Sequence, residues 1–507
     1  MTTEEMLGQE DLNHFEPKYA CSILGHLFEK GYDTASPEII RQALQLSDRQ
    51  SLEPFSSNDL MEFHYNVANG WSYLRSLTVN PDSTAIWQMD YPELEKEVLH
   101  LRLALKYSAD TEDQALLCQI LTNLGNVLSH LGRVIDAISC WVKVLDIDPD
   151  FGMAIGNLGF GLMHYSKVLY DDSHQFIFCR FAYGLLLHSS TCDDVFPEAK
   201  AAFANHARII EQRYGKNVLR KDLIFEKTGG GNSPEEDAYR NWCVHHRLFL
   251  NPLNELYKGD LPSHDCLFLP VVRTTLDAPP FLHGFYNQLK QEYATARFYL
   301  YTGATSKGTH FSDKGNLQLD TADYSAFSFN IESTKSAFRA LYSLFDKIAY
   351  YLNYYLELGF APDKVSFRRI WYSYSKNRPT GIHPKILEGQ NWMLRGLYWL
   401  SKDLEEKDPA FSEALLPEAQ ALATIRNFLE HKSLRVVEIG VSEIVDNGFT
   451  YQINRRELED KAMQLAKTVR AALMYLSYSM KIHEAQRTDS NPSITVALSQ
   501  IEDIFKR

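Results

Sequence analysis

The chain has 507 residues, 45% hydrophobic and 23% charged, with a formal net charge of −14. That length accommodates two to four domains with their own cores, and the composition is that of an ordinary soluble globular protein. The negative charge excludes indiscriminate nucleic-acid binding, and no apolar run approaches the roughly 20 residues that span a bilayer.

The N-terminus, MTTEEMLGQEDLNHFE, is acidic and has no basic-then-apolar leader, which predicts a cytoplasmic protein. Seven cysteines (Cys21, Cys118, Cys140, Cys179, Cys192, Cys243, Cys266) are scattered and form no CxxC pair. They read as buried or free thiols in a reducing compartment. Charge is unevenly spread. Residues 321–487 carry 22 Lys and Arg against 20 Asp and Glu, a balance of +2, so the remainder of the chain carries −16. A polyanion is therefore better tolerated towards the C-terminus than elsewhere.

Residues 1–60 are expected to form a helical cap, and 61–107 an interrupted helical hairpin. The clearest repeat is LLCQILTNLGNVLSHLGRVIDAISCWVKVLDIDPDF (116–151), where two amphipathic helices flank a break at His130–Gly132. Leu124, Gly125, Ala137, Trp141 and Pro149 fall at the offsets of the 34-residue tetratricopeptide (TPR) pattern. Small Gly125 and Ala137 allow close helix approach, Trp141 fills the gap between neighbouring hairpins, and Pro149 ends the second helix. Another helical pair is expected over 174–214. One hairpin cannot bury its apolar face alone, so 61–215 are expected to stack as a TPR-like α-solenoid.

EKTGGGNSPEED (226–237) is the best linker candidate, overlapping a linker set at 216–235. Its glycines are no phosphate loop, because no Gly-Lys-Ser/Thr follows. From 236 to 487 a second, mostly helical domain is expected, and 488–507 form a tail. Within that domain the spacing predicts four helices: 335–360, 391–406, about 412–435 and about 455–485. Tyr350, Tyr351, Tyr354 and Tyr355 on the first read as packed core with their hydroxyls at its edge. A proline-broken loop holds Pro379 and Pro384. RVVEIGVSEIVDNGFTYQI (435–453) alternates and contains Asn447-Gly448, which predicts a β-hairpin. Asn454 and Glu457 form a cap signature for the last helix. The fold class is thus mainly all-α with a small β-hairpin insert.

The candidate site is Arg-Asn-Phe-Leu-Glu-His at 426–431 on the third of these helices. It pairs a permanently charged phosphate clamp with a side chain that titrates near neutrality. RNA cleavage without a metal needs such a pair: a base for the ribose 2′-hydroxyl, a cation for the phosphate and an acid for the leaving 5′-oxygen. Asn427 and His431 share a helix face, as do Arg426 and Glu430. Arg426 lies about 140° around the helix from His431, within the swing of its long side chain. Glu430 reads as a structural partner of Arg426, a pair worth a few tenths of a kcal/mol. The same spacing occurs at Arg240…His245 and Arg378…His383. The latter lies in the proline-broken loop. Arg240-Asn241 shares the Arg-Asn start but falls just after the linker. Metal ligation is poorly supported: His245-His246 and His264-Asp265-Cys266 are adjacent in sequence, and no HExxH or CxxC spacing is present. No cofactor is expected.

The four-helix layout with Arg-[polar]-x3-His on the third helix resembles the HEPN superfamily, many members of which are metal-independent endoribonucleases. RNFLEH (426–431) carries the resemblance, supported by DKIAYYLNYYLELG (346–359), NWMLRGLYWLSKDL (391–404) and TVRAALMYLSYSM (468–480). The resemblance implies a homodimer whose two Arg/His motifs form one RNA cleft, and a setting in bacterial defence or toxin systems. It assigns His431 as general base or acid, Arg426 as the phosphate stabiliser and Asn427 as a positioning group. Arg470 on the last helix would line the cleft or serve in packing. A helical extension at 236–330 departs from the simplest pattern. The alternatives are a non-catalytic scaffold with a protein or peptide partner on the TPR-like region, and a nucleotide-binding regulator.

Overall fold

The computed structural model describes residues 1–79, 89, 92–109, 111–221, 231, 233–256, 262–270, 272, 280–320, 324–404, 419–438, 448–487, 501–503 and 506. Half of the expected 216–235 linker falls outside these residues, as do the start of the predicted 412–435 helix, Asn447 and most of the 488–507 tail. The described chain is mainly helical. It divides into two compact units: residues 1–167, 175–222 and 401–420, and residues 168–174, 223–400 and 421–507.

The first unit opens with α1 (Thr3–Leu7), α2 (Pro17–Asp33), α3 (Pro37–Arg49) and α4 (Ser57–Thr78). Prolines begin α2 and α3, where the missing N–H costs nothing. Ser56 and Asp59 close a reciprocal cap on α4. One apolar cluster runs from Leu12 through Leu24, Phe28 and Leu44 to Phe63 and Leu74, so a single core crosses residue 60.

Next come α5 (Pro92–Tyr107), α6 (Gln114–His130), α7 (Val134–Ile147), α8 (Gly152–Val168), α9 (Asp172–Ser189), α10 (Pro197–Tyr214) and α11 (Lys216–Leu219). Gly132, at φ 85°, takes the left-handed conformation that turns α6 into α7. The fully buried Trp141 lies against two glycines. A Cβ on Gly125 of α6 would meet its Nε1 at 2.5 Å, and one on Gly161 of α8 would meet its Cη2 at 2.9 Å. The indole thus fills the space between three successive helices, and its N–H donates to Thr122 O (3.3 Å) and Asn126 Oδ1 (3.2 Å).

In the second unit α12 (Pro234–His245) precedes two long helices, α13 (Phe281–Thr305) and α14 (Phe329–Tyr355). At their crossing a Cβ on Gly303 would come within 2.8 Å of Asn330 O, so only glycine permits the approach. After α14 come β1 (Tyr372–Ser375), β2 (Arg378–Ile382), α15 (Pro384–Leu387), α16 (Trp392–Lys402), α17 (Ala419–His431), β3 (Ser433–Val437), β4 (Thr450–Asn454) and α18 (Arg455–Gln486). Helices α13, α14 and α18 pack against one another, and α18 buries seventeen residues along its 32-residue length.

Three expectations need correction. The 435–453 segment is no hairpin: β3 and β4 pair in parallel, Ser433 with Thr450 through Val437 with Asn454. Parallel strands need a connection of about a dozen residues, which the chain between Val437 and Thr450 supplies. Gly448, at φ 77°, turns the chain into β4 rather than closing a two-residue loop. The proline-broken loop is instead the antiparallel hairpin β1–β2. Pro379 is tolerated there because a two-stranded ribbon has only edges, and a register shift lies beside it. Finally, the four tyrosines split by face. Tyr351 is fully buried and Tyr355 half-buried, whereas Tyr350 (41% exposed) and Tyr354 (62%) face outward.

Asn454 caps α18 by accepting from Arg456 N at 2.9 Å.

Candidate active site

Helix α17 buries Leu422, Ala423, Ile425, Phe428 and Leu429. That spacing sets one apolar face and leaves Arg426 and Asn427 half-buried on its border, with Glu430 and His431 exposed at the end. Arg426 Nη1 donates to Asn427 Oδ1 at 3.2 Å. Its guanidinium carbon lies 5.6 Å from the Tyr342 ring centroid, a cation–π distance. Among the described residues no carboxylate pairs with Arg426.

Glu430 does not pair with Arg426, which corrects the intrahelical pair expected from their spacing. Its carboxylate lies 3.9 Å from Arg339 Nε of α14. Arg339 also donates from Nη2 to Leu429 O at 2.7 Å, so it satisfies a carbonyl of the last turn of α17 while facing the acid beside it. His431 is the last residue of α17. Five steps of roughly 100° and 1.5 Å put it about 140° around and about 7.5 Å along the axis from Arg426. Arg426 and Asn427 are thus brought together, while Arg426 and His431 leave different sides of the helix.

Arg470 does not line a cleft with these residues. It is 2% exposed, and donates from Nε to Phe249 O (2.6 Å), from Nη2 to Asn251 O (3.0 Å) and from Nη1 to the buried Glu255. The guanidinium braces the chain before α13, because a charge at that depth requires both a counter-charge and full hydrogen bonding. Arg240 bonds twice to Glu236 Oε1, at 2.9 and 2.6 Å, one turn earlier in α12. His245 is exposed at the end of α12, edge-on to His246. Arg378 is exposed on β2, and His383 Nδ1 accepts from Lys385 N at 3.3 Å.

Sequence reasoning missed Arg339 and Tyr342. They lie three apart on one face of α14, a spacing visible in the sequence, but nothing there ties that face to α17.

Residues 273–484 match the family model for LA2681-like HEPN. That segment is therefore similar to HEPN domains. No curated protein and no solved structure matches the chain. The HEPN match holds all of α13, α14, α16 and α17 and nearly all of α18. Helix α13 therefore belongs to the matched segment, and only 236–272 of the expected extension lies outside it. Residues 61–215, where the repeat is expected, are outside it as well.

Among the described residues no three His, Cys, Asp or Glu groups are placed to hold a metal. In the His264-Asp265-Cys266 run, burial acts to raise the Asp265 pKa, but the Arg297 guanidinium at 2.8 Å, the Leu250 N–H and Lys290 together outweigh it and hold the carboxyl low. Burial pushes the Cys266 thiol up to about 12, far from the thiolate a metal needs. Burial also holds His246 down at about 4. Among the described residues no helix is long and apolar enough to cross a membrane.

Proposed function

We propose that the HEPN segment is a metal-independent endoribonuclease and that the front helices form a TPR-like module that binds a protein or peptide signal. One observation carries this reading. Arg426 is held half-buried by neutral partners, Asn427 and the Tyr342 ring, while the nearest acid in its own helix, Glu430, faces Arg339. A guanidinium so held keeps its full charge for a phosphate.

The chemistry follows from the residue types. His431 takes the proton of the ribose 2′-hydroxyl, O2′ forms a bond to phosphorus, and the P–O5′ bond breaks as an acid protonates the leaving oxygen. The products are a 2′,3′-cyclic phosphate and a 5′-hydroxyl. General base or acid catalysis by the imidazole contributes ~10²–10⁴-fold. Arg426 stabilises the charge on the phosphoryl oxygens, worth roughly 3–4 kcal/mol by analogy with other anion holes. Asn427 orients Arg426 and the substrate. Because Arg426 and His431 lie about 140° apart on one helix, two copies related by a two-fold axis supply both groups to one cleft, so the active form is a homodimer. Trp141 wedged between Gly125 and Gly161 supports the TPR-like stacking. A cytoplasmic role in bacterial defence or toxicity fits a nuclease joined to a sensing region.

The test is incubation of the chain and its His431→Ala and Arg426→Ala variants with total RNA in EDTA. The native chain cleaves, leaving cyclic-phosphate ends, and both variants lose at least a hundredfold. Equal cleavage by the native and His431→Ala chains would remove the imidazole from the mechanism. The balance of −16 outside residues 321–487 favours a second reading, a protein-binding scaffold, which gains if the native chain leaves RNA intact.

A further inference from the structure

The hairpin β1–β2 is a two-stranded ribbon whose turn residues, Lys376 and Asn377, both have positive φ (48° and 64°). This two-residue turn matches the twist of the strands. Every residue from Ser375 to Gly381 is exposed. From Lys364 to Lys385 the chain carries six Lys and Arg and no Asp or Glu, within a protein of net charge −14.

Part of that charge is answered nearby: Lys364 lies 3.6 Å from Asp363 and Lys385 3.4 Å from Glu357. Lys376 and Arg378, at the ribbon's tip, have no carboxylate partner among the described residues. On the flank the Arg369 guanidinium carbon lies 4.2 Å from the Tyr374 ring centroid, close enough to stack. An exposed tip with two unanswered cations, beside a paired guanidinium and aromatic ring, combines the two elements that hold single-stranded nucleic acid: backbone charge and a flat surface for a base. An acidic peptide would use the charge but not the stack.

We propose that this ribbon is an RNA-binding arm: Lys376 and Arg378 contact backbone phosphates of a single strand, and Tyr374 with Arg369 offers a platform for a base. The arm deepens the nuclease reading by naming how the HEPN segment holds its substrate, yet binding is measurable without cleavage.

The experiment uses the full chain carrying His431→Ala and a short fluorescein-labelled single-stranded RNA, read by anisotropy over a salt series. The parent binds. Adding Lys376→Glu and Arg378→Glu weakens binding about tenfold or more and lowers the salt slope by roughly 1.4, since each lost single-strand phosphate contact removes about 0.7. Tyr374→Ala weakens it about fivefold or more. A control with the same charge change, Lys18→Glu with Lys216→Glu at exposed sites of the first unit, binds as the parent. Unchanged melting of the ribbon variant shows that the fold is intact.

A parent that does not bind RNA, or a ribbon variant that binds as tightly as the parent, overturns the arm. So does a polyglutamate peptide that competes as well as unlabelled RNA, which would reassign the ribbon to an acidic protein partner. The two readings fail separately. Binding through the ribbon without cleavage by the native chain keeps the arm and removes the nuclease, and cleavage with ribbon-independent binding does the reverse.

Discussion

Glu430 lies 3.9 Å from Arg339 on α14, and not against Arg426 one turn before it on its own helix. The acid therefore helps seat the end of α17 and, among the described residues, leaves the guanidinium at 426 without a carboxylate partner. Both partners are 39% exposed, and a pair so wet is worth only about 0–1 kcal/mol. Glu430→Gln is expected to shift stability by less than about 1 kcal/mol and to leave RNA cleavage within a few fold. A loss matching that of Arg426→Ala, measured on the same RNA in EDTA, would make Glu430 part of the chemistry.

The candidate helix was legible because its apolar residues repeat at helical spacing and because Arg, Asn and His together narrow the chemistry. Its surroundings were not. Arg339 is 90 residues from Leu429, and no local pattern announces a pairing at that separation. Trp141 and Gly125 were legible for the opposite reason: a large ring against a missing Cβ is a constraint on residue type, and it survives in the sequence. Strand direction was misread because Asn447-Gly448 is a strong local turn signal, whereas parallel pairing is decided by the length of the whole connection. Pro379 hid the real hairpin, since a proline excludes a central strand but not a ribbon edge.

Gly303→Ala tests whether the α13–α14 crossing depends on a missing side chain. The new Cβ would lie 2.8 Å from Asn330 O, a backbone atom that cannot rotate away. Separation of the helices is expected to cost about 1–3 kcal/mol, read as a lower urea midpoint with an unchanged slope. An unchanged midpoint would mean that the crossing is looser than described.

Asp403→Asn probes a buried charge cluster in the first unit. Asp403 is 1% exposed and accepts from Arg102 at 2.6 and 3.0 Å and from Arg133. Beside it the buried Lys402 pairs with Glu95. Arg133 also reaches Asp136 at 3.0 Å, but Arg102 depends on Asp403. Removing one partner of a buried pair strands the other charge, so a loss of about 3–5 kcal/mol is expected. Chemical denaturation of the full chain checks it. A variant within about 1 kcal/mol of the native chain would mean that water reaches Arg102.

His64 and His100 give the first unit a pH dependence with a definite sign. Their Nδ1 atoms lie 3.0 Å apart, and the His64 ring stacks on Tyr107. Burial lowers the His64 pKa from 6.5 to about 4. Burial, then the neighbouring His64 and Lys96, lowers that of His100 to about 3. Both rings are neutral in the fold, one donating to the other, while the unfolded chain takes up protons as pH drops below 6.5. The unfolded state then binds more protons, so stability is fully present above pH 6.5 and is lost progressively as pH falls towards 4 and then 3. The expected loss from this pair is on the order of 6 kcal/mol by pH 4 before solvent screening reduces it. His164, held at about 4 by burial, contributes in the same window, so the readout is a comparison. The thermal midpoint of the His64→Gln, His100→Gln chain should fall less steeply from pH 6.5 to 4 than that of the native chain. Parallel curves would show that the two imidazoles titrate in the fold as they do in water.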